Sequence, residues 1–265
     1  MNGQLVEILK EAIQIPGLMK KIYGDLAKPG VSQVGKALSS ILGLGNTILW
    51  PITLANEKSR IALERNLNNY REQLSNIPLE EIIPVVPEIG VPIAEKLAYI
   101  YDFNLSELYI NLLSSASSYK TSGLAHPSFV NLIGNISPDE AMLLPHLQND
   151  IPFLECRRNN KSTNTHYYLN KMLTGLENNV PFVFPDNTVA YISNFEGLGL
   201  IEIRNNVYIK IPNVYENLER FYRPKYETEL QDRENEEIVF IRGGISLTSF
   251  GKLFIHACIK ASASS

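Results

Sequence analysis

Residues 238–251 read Ile-Val-Phe-Ile-Arg-Gly-Gly-Ile-Ser-Leu-Thr-Ser-Phe-Gly. Two short runs rich in β-branched and aromatic side chains flank Gly243-Gly244, the signature of a hairpin closed by a two-glycine turn. Thr248 then stands at the N-cap position of a closing helix whose inward side chains are Phe250, Leu253, Phe254 and Ala257. Upstream, Asp186 or Asn187 caps a helix running to about residue 194, and residues 200–203 alternate as a strand. Residues 213–233 are polar and helical in pattern. The order helix, helix, strand, hairpin, helix predicts a winged-helix-like α+β domain over residues 136–265. Residues 186–195 would be its recognition-type helix, and an acidic insertion at about 205–237 would enlarge its wing.

Working outward toward the N-terminus, residues 1–135 read as an α-helical domain, so the fold class is mainly α. Leu5, Ile8, Leu9, Ala12 and Ile13 have helical spacing, Pro16-Gly17 interrupts them, and Ser32 caps a second helix to about Gly45. A long third helix is expected over residues 50–76, with Pro51 in its first turn and Leu63, Leu67, Tyr70, Leu74 and Ile77 forming an alternating four-three seam. Pro78, Pro84, Pro87 and Pro92 mark an extended connector. Helices are expected next over residues 93–101, over 106–117 with Ser106 as N-cap, and over 127–133. Ser137-Pro138-Asp139-Glu140 opens a further helix with a cap, a first-position proline and acids in the first turn. Residues 159–164, Asn-Asn-Lys-Ser-Thr-Asn, read as a polar loop.

The chain of 265 residues is 45% hydrophobic and 20% charged, which excludes wholesale disorder and collagen-like or disulfide-scaffold chains. Its two cysteines, Cys156 and Cys258, suit a reducing interior, and the first residues show no secretory signal. The expected location is the cytoplasm, at most peripheral to the inner membrane. The net charge is −4, but residues 1–78 carry nine basic against six acidic side chains, and residues 213–237 carry four against eight. Residues 186–195 hold no Lys or Arg, so the domain lacks the phosphate contacts on which DNA readout leans. Nucleic acid is therefore a disfavoured partner.

Many short pieces occur here in the order of one known family. They include Tyr23-Gly24-Asp25-Leu26-Ala27-Lys28-Pro29, Asn46-Thr47 with Pro51, Asn56-Glu57-Lys58, and Pro87-Glu88-Ile89-Gly90-Val91-Pro92-Ile93. Leu112-Leu113-Ser114-Ser115-Ala116, His126-Pro127-Ser128-Phe129-Val130 and Ser137-Pro138-Asp139-Glu140-Ala141 follow. Toward the C-terminus, Leu247-Thr248, Phe250-Gly251, Phe254 and Cys258 continue the match. The chain thus resembles the abortive infection alpha family of bacteria. The resemblance implies a role in defence against phage and supplies no mechanism.

No nucleotide-binding Gly-x4-Gly-Lys-Ser/Thr loop or Gly-x-Ser-x-Gly elbow occurs. Arg157 and Arg158 precede His166 by more residues than an Arg-x4-6-His ribonuclease spacing allows. Pro185-Asp186 followed by Glu202-Ile203-Arg204 approaches the metal-binding pattern of a restriction-type nuclease, with Arg where such a site needs Lys. Cys156, His166, His256 and Cys258 lack the spacing of a zinc site. No cofactor, metal or catalytic residue is assigned, and the enzyme question stays open with the non-enzymatic side favoured. The alternatives carried are a metal-dependent nuclease effector and a winged-helix DNA-binding regulator.

Interaction or structural candidates are Asp25, Lys28, Pro29, Asn56, Glu57, His126 and Pro127. His126 precedes a proline and could fix the connector by a ring hydrogen bond. Residues 37–56 form 20 consecutive positions without a charged side chain. Ile41, Leu44, Leu49, Trp50 and Pro51 are the candidate membrane contacts within them. A bilayer takes about 20 apolar residues to span, but the glycines and polar residues here make a poor permanent span. The expected mode of action is therefore contact with a phage or host protein, with a second copy, or with a membrane surface on activation.

Overall fold

The computed structural model describes residues 37, 57–230, 233 and 235–259. It is mixed α+β, and the described residues fall in two compact units. One holds the residues up to Ala141 together with those from Leu253 onward, and the other holds Met142–Lys252. The expected helices before residue 50 and the uncharged stretch lie outside the described residues, apart from buried Ala37.

The first unit is helical. Helix α1 (Glu57–Ser75) turns its seam inward: Leu63, Leu67, Tyr70 and Leu74 are fully buried. At this burial each leucine contributes on the order of 1.5–3 kcal/mol. Helix α2 (Pro87–Leu97) and helix α3 (Phe103–Ala116) pack against α1. Asn66 and Tyr70 are polar groups of this core with partners. Asn66 Nδ2 donates to the Leu97 carbonyl at 2.8 Å, and the Tyr70 and Ser117 hydroxyls are bonded at 2.5 Å. Helix α4 (Ser128–Ile133) carries Phe129, whose ring meets Phe254 edge-on at 5.2 Å.

Two boundaries differ from the sequence expectation. The extended connector ends at Val86, and Pro87 opens α2 at a position where a missing N–H costs nothing. Pro92 sits inside that helix. Helix α3 starts at Phe103 because Asp102 caps it, accepting from the Leu105 N–H at 2.9 Å, while Ser106 is buried within the first turn. The opening of α5 (Pro138–Leu143) matches the expectation: Ser137 N–H donates to Glu140 at 2.6 Å and Glu140 N–H donates back to Ser137 Oγ at 3.3 Å.

The second unit is built on a four-stranded antiparallel sheet in the order β2-β1-β4-β3. Its strands are β1 (Ile151–Asn160), β2 (Thr165–Leu173), β3 (Ile201–Asn205) and β4 (Glu236–Leu247). Short helix α6 (Leu176–Asn179) and helix α7 (Thr188–Gly197) lie between β2 and β3. Helix α8 (Val214–Glu227) covers one face of the sheet, burying Tyr215, Tyr222 and Tyr226 against Leu154, Cys156, Leu173 and Ile238. Helix α9 (Ser249–Cys258) follows β4, and Thr248 caps it as expected, accepting from the Gly251 N–H at 2.9 Å.

Gly243-Gly244 is not a turn. Both residues lie within the continuous strand β4, paired on one side with Phe153 and Pro152 and on the other with Asn205 and Arg204. The glycine at 243 is a packing requirement: a Cβ there would overlap the ring of Phe153, which is 1% exposed. The hairpin instead belongs to β1 and β2, whose tip lies at residues 161–164. Asn164 takes a positive φ of 51° there, and Asn160 Oδ1 accepts from the Ser162 and Thr163 N–H groups.

Candidate functional site

The β1–β2 hairpin presents an exposed aromatic surface. In register, Arg157 faces Tyr168, Arg158 faces Tyr167 and Asn159 faces His166. Side chains alternate along the strands, so the two Arg–Tyr pairs lie on opposite faces. The Arg157 guanidinium stands 4.8 Å from the Tyr168 ring centre, and the Lys171 ammonium stands 5.1 Å from the same ring. His166 meets that ring edge-on at 5.2 Å. On the other face, Arg158 stands 5.4 Å from the ring of Tyr167. These contacts hold both tyrosines in place while leaving Tyr167 63% and Tyr168 40% exposed.

The charge on this surface is largely balanced. Arg157 is ion-paired with the buried carboxylate of Glu155, Arg158 with Glu236 at 3.0 Å, and Lys161 with Glu237 at 3.5 Å. The surface is therefore aromatic rather than strongly cationic. Strand β2 is also terminal in the sheet, and among the described residues no strand pairs with its outer edge. Its nine residues contain no acidic side chain. An open edge flanked by rigid aromatic rings can take up an extended segment by backbone pairing and stacking. The sequence reading of residues 159–164 as a loop was right at the tip and missed the strands. The signal was present: Ile-Pro-Phe-Leu-Glu-Cys before the polar tip and His-Tyr-Tyr-Leu after it are strand-forming runs around a turn.

The residues singled out from the sequence are dispersed. Glu57 is exposed in the first turn of α1, 3.6 Å from Arg60. His126 is exposed, and its Nδ1 accepts from the Ser128 N–H at 3.2 Å and bonds the Ser128 hydroxyl at 2.6 Å. Its ring lies 5.7 Å from Phe129, and Pro127 is the N-cap of α4. Asp25, Lys28, Pro29, Ile41, Leu44, Leu49, Trp50, Pro51 and Asn56 lie outside the described residues.

Asp186 is exposed in a 3-10 turn (Pro185–Asn187), and α7 begins without a side-chain cap bond. Glu202 is ion-paired with Arg204 two residues along β3. Cys156 and Cys258 are both buried, and burial pushes the Cys258 thiol well above its ordinary pKa, which removes its nucleophilic character. Among the described residues, no three His, Cys, Asp or Glu side chains are grouped to hold a metal ion, and no helix is long and apolar enough to cross a membrane.

A search of curated proteins finds no match to the chain. Among solved structures, an uncharacterized protein from the hydrocarbon-degrading marine bacterium Alcanivorax borkumensis SK2 is similar at 14% identity. That match covers 52% of this chain and 95% of the other, and its TM-score of 0.29 is too low to argue from. The family model described as abortive infection alpha matches residues 62–258, a span that takes in the core of α1, the whole sheet and the capped final helix. The chain belongs to the abortive infection alpha family.

Proposed function

We propose that the protein serves in antiphage abortive infection and acts without enzymatic chemistry of its own, through contact with a protein partner. Family membership supports the biological role. The contact mode rests on one observation, the uncovered edge of β2 with Tyr167 and Tyr168 held beside it. In this reading α7, β3 and β4 belong to a winged-helix-like module used to bind protein rather than DNA. A double Tyr167→Ser, Tyr168→Ser variant removes partly exposed rings and their cross-strand contacts, so it should lower the melting temperature by only a few degrees, stay folded at the assay temperature and lose phage protection in a plaque assay. Undiminished protection would refute the hairpin as the contact surface. Cleavage of plasmid or RNA by the purified protein, abolished by Asp186→Ala, would replace this reading with a nuclease. Salt-sensitive binding of upstream DNA would replace it with a regulator.

A membrane surface is the second contact considered, and the observation favouring it is the 20-residue uncharged stretch at residues 37–56 with Trp50 beside Pro51. Its mark would be leakage of anionic liposomes that Leu49→Asp or Trp50→Ser prevents. Intact liposomes, and a protein that stays cytosolic in fractionated infected cells, would exclude it.

A further inference from the structure

The open edge of β2 has two unlike halves. Residues 165–168 pair one for one with residues 160–157 of β1. Beyond them the register shifts twice: Leu169 is an extra residue between the pairs of Tyr168 and Asn170, and a second extra residue falls between Asn170 and Leu173. Bulges of this kind turn an edge away from incoming strands, so regular pairing is left to residues 165–168, all of them exposed. The first bulge also changes faces. In a regular strand positions 168 and 171 point to opposite sides. Here the Lys171 ammonium lies 5.1 Å from the Tyr168 ring centre. His166 meets the same ring at 5.2 Å.

That face lacks carboxylates at its outer strand. The acids of the inner strands are engaged: Glu155 by Arg157, Glu236 by Arg158 and Glu237 by Lys161. Strand β2 contains no acidic residue, and Lys171 and His166 have no carboxylate partner among the described residues. The hairpin as a whole is balanced, but what remains at the edge is an ammonium and an imidazole beside the Tyr168 ring. The other face differs. Tyr167 is exposed there, and the Arg158 next to its ring is neutralised by Glu236. An added strand meets the two faces at alternate residues, one face through His166, Tyr168 and Lys171, the other through Tyr167.

We propose that the edge of β2 takes up an extended partner segment with acidic side chains at alternate positions and apolar ones between them. The segment pairs its backbone with residues 165–168, sets its carboxylates against Lys171 and His166, and lays an apolar side chain on Tyr167. A second copy of β2 has no carboxylate to offer, so the occupant is a different protein. The proposal rests on the hairpin being the contact surface and adds the chemistry of what it contacts.

Fluorescence anisotropy on the full chain at low ionic strength tests it, with a labelled peptide of about eight residues that alternates Glu and Val as the probe. Saturable binding is expected. An alternating Lys-Val peptide, and a peptide of the first composition with its glutamates in one block, should each bind about fivefold or more weakly. Lys171→Glu should reverse the preference in favour of the Lys-Val peptide, which a variant that merely unfolds cannot do. The same variant should reduce phage protection in a plaque assay. Absence of saturable binding, or equal binding of the Glu-Val and Lys-Val peptides, would overturn the proposal. Protection kept by Lys171→Glu and lost by the double tyrosine variant would overturn the acidic partner while leaving the hairpin as the contact surface. Protection kept by both variants would remove the contact surface and the proposal with it. A concentration-dependent dimer that the double tyrosine variant fails to form would make a second copy the occupant instead.

Discussion

Gly243 shows how one residue can mislead a sequence reading and still be explained by it. A Gly-Gly pair between β-branched runs is the strongest local signal for a turn, because glycine adopts left-handed backbone at no steric cost. Here neither glycine has a positive φ. The demand at 243 is for space, since the buried Phe153 ring lies against the strand where a Cβ would be. That demand comes from a residue 90 positions earlier in the chain, so nothing in the local pattern could reveal it. Gly243→Ala should therefore destabilise the protein by about 1–3 kcal/mol in urea unfolding, the usual cost of overpacking. Phe153→Leu in the same chain should recover part of the loss. Gly197→Ala, at the exposed end of α7 with no neighbour within 4 Å, is the control and should change stability little. Equal effects at 243 and 197 would show that backbone freedom, not the ring, selects glycine in β4.

At the scale of elements, what the sequence disclosed depended on whether the deciding contacts are local. The Ser137–Glu140 capping box and the Thr248 cap are formed within three residues, and both were legible. The α1 seam was legible for the same reason, because helical spacing alone collects Leu63, Leu67, Tyr70 and Leu74 on one side. The start of α3 was misplaced because Asp102 and Ser106 are both acceptable caps by type. Only the burial of Ser106 inside the helical core decides between them. The β1–β2 hairpin was lost because its pairing is interrupted twice: register shifts fall between Leu154 and Cys156 and between Cys156 and Arg157. Those shifts break the alternation on which strand recognition depends.

The Thr248 cap has a second function that the sequence did not announce. Its hydroxyl also donates to the Gly199 carbonyl at 2.6 Å, just before β3, and its N–H donates to the Leu200 carbonyl at 3.0 Å. Thr248 thus ends β4, starts α9 and anchors the approach to β3. Thr248→Ser should cost little. Thr248→Val, which keeps the shape and removes the hydroxyl, should cost about 1–2 kcal/mol in unfolding free energy. Equal stability of the serine and valine variants would show that the hydroxyl contributes nothing.

Among the described residues, buried tyrosines in both units join the Cys258 thiol as groups whose ionisation opposes folding. Burial raises the Tyr109 phenol to about 12, with the nearby Cys258 thiol adding to the shift. Burial raises Tyr70 further, although its hydrogen bond with Ser117 works in the other direction. In the second unit Tyr222 is raised by burial and then by its bond to Glu177, whose carboxylate accepts the phenolic proton. Each folded-state pKa lies above the ordinary value of 10, so the unfolded chain gives up these protons first as pH rises. The stability they contribute is complete below pH 10 and is lost as pH climbs from there through the folded-state values. The expected observation is an alkaline transition in which part of the tyrosinate absorbance appears together with the loss of circular dichroism. Tyr70→Phe refines the test because its two effects have opposite signs. It removes the bond to Ser117, lowering stability at neutral pH by about 1 kcal/mol. It also removes one ionising group, so above pH 10 its stability should fall less steeply, by up to about 1.4 kcal/mol per pH unit. The variant should therefore start below the wild type and converge with it as pH rises. Parallel curves across the alkaline range would mean that the Tyr70 phenol is not held neutral by its burial against Ser117.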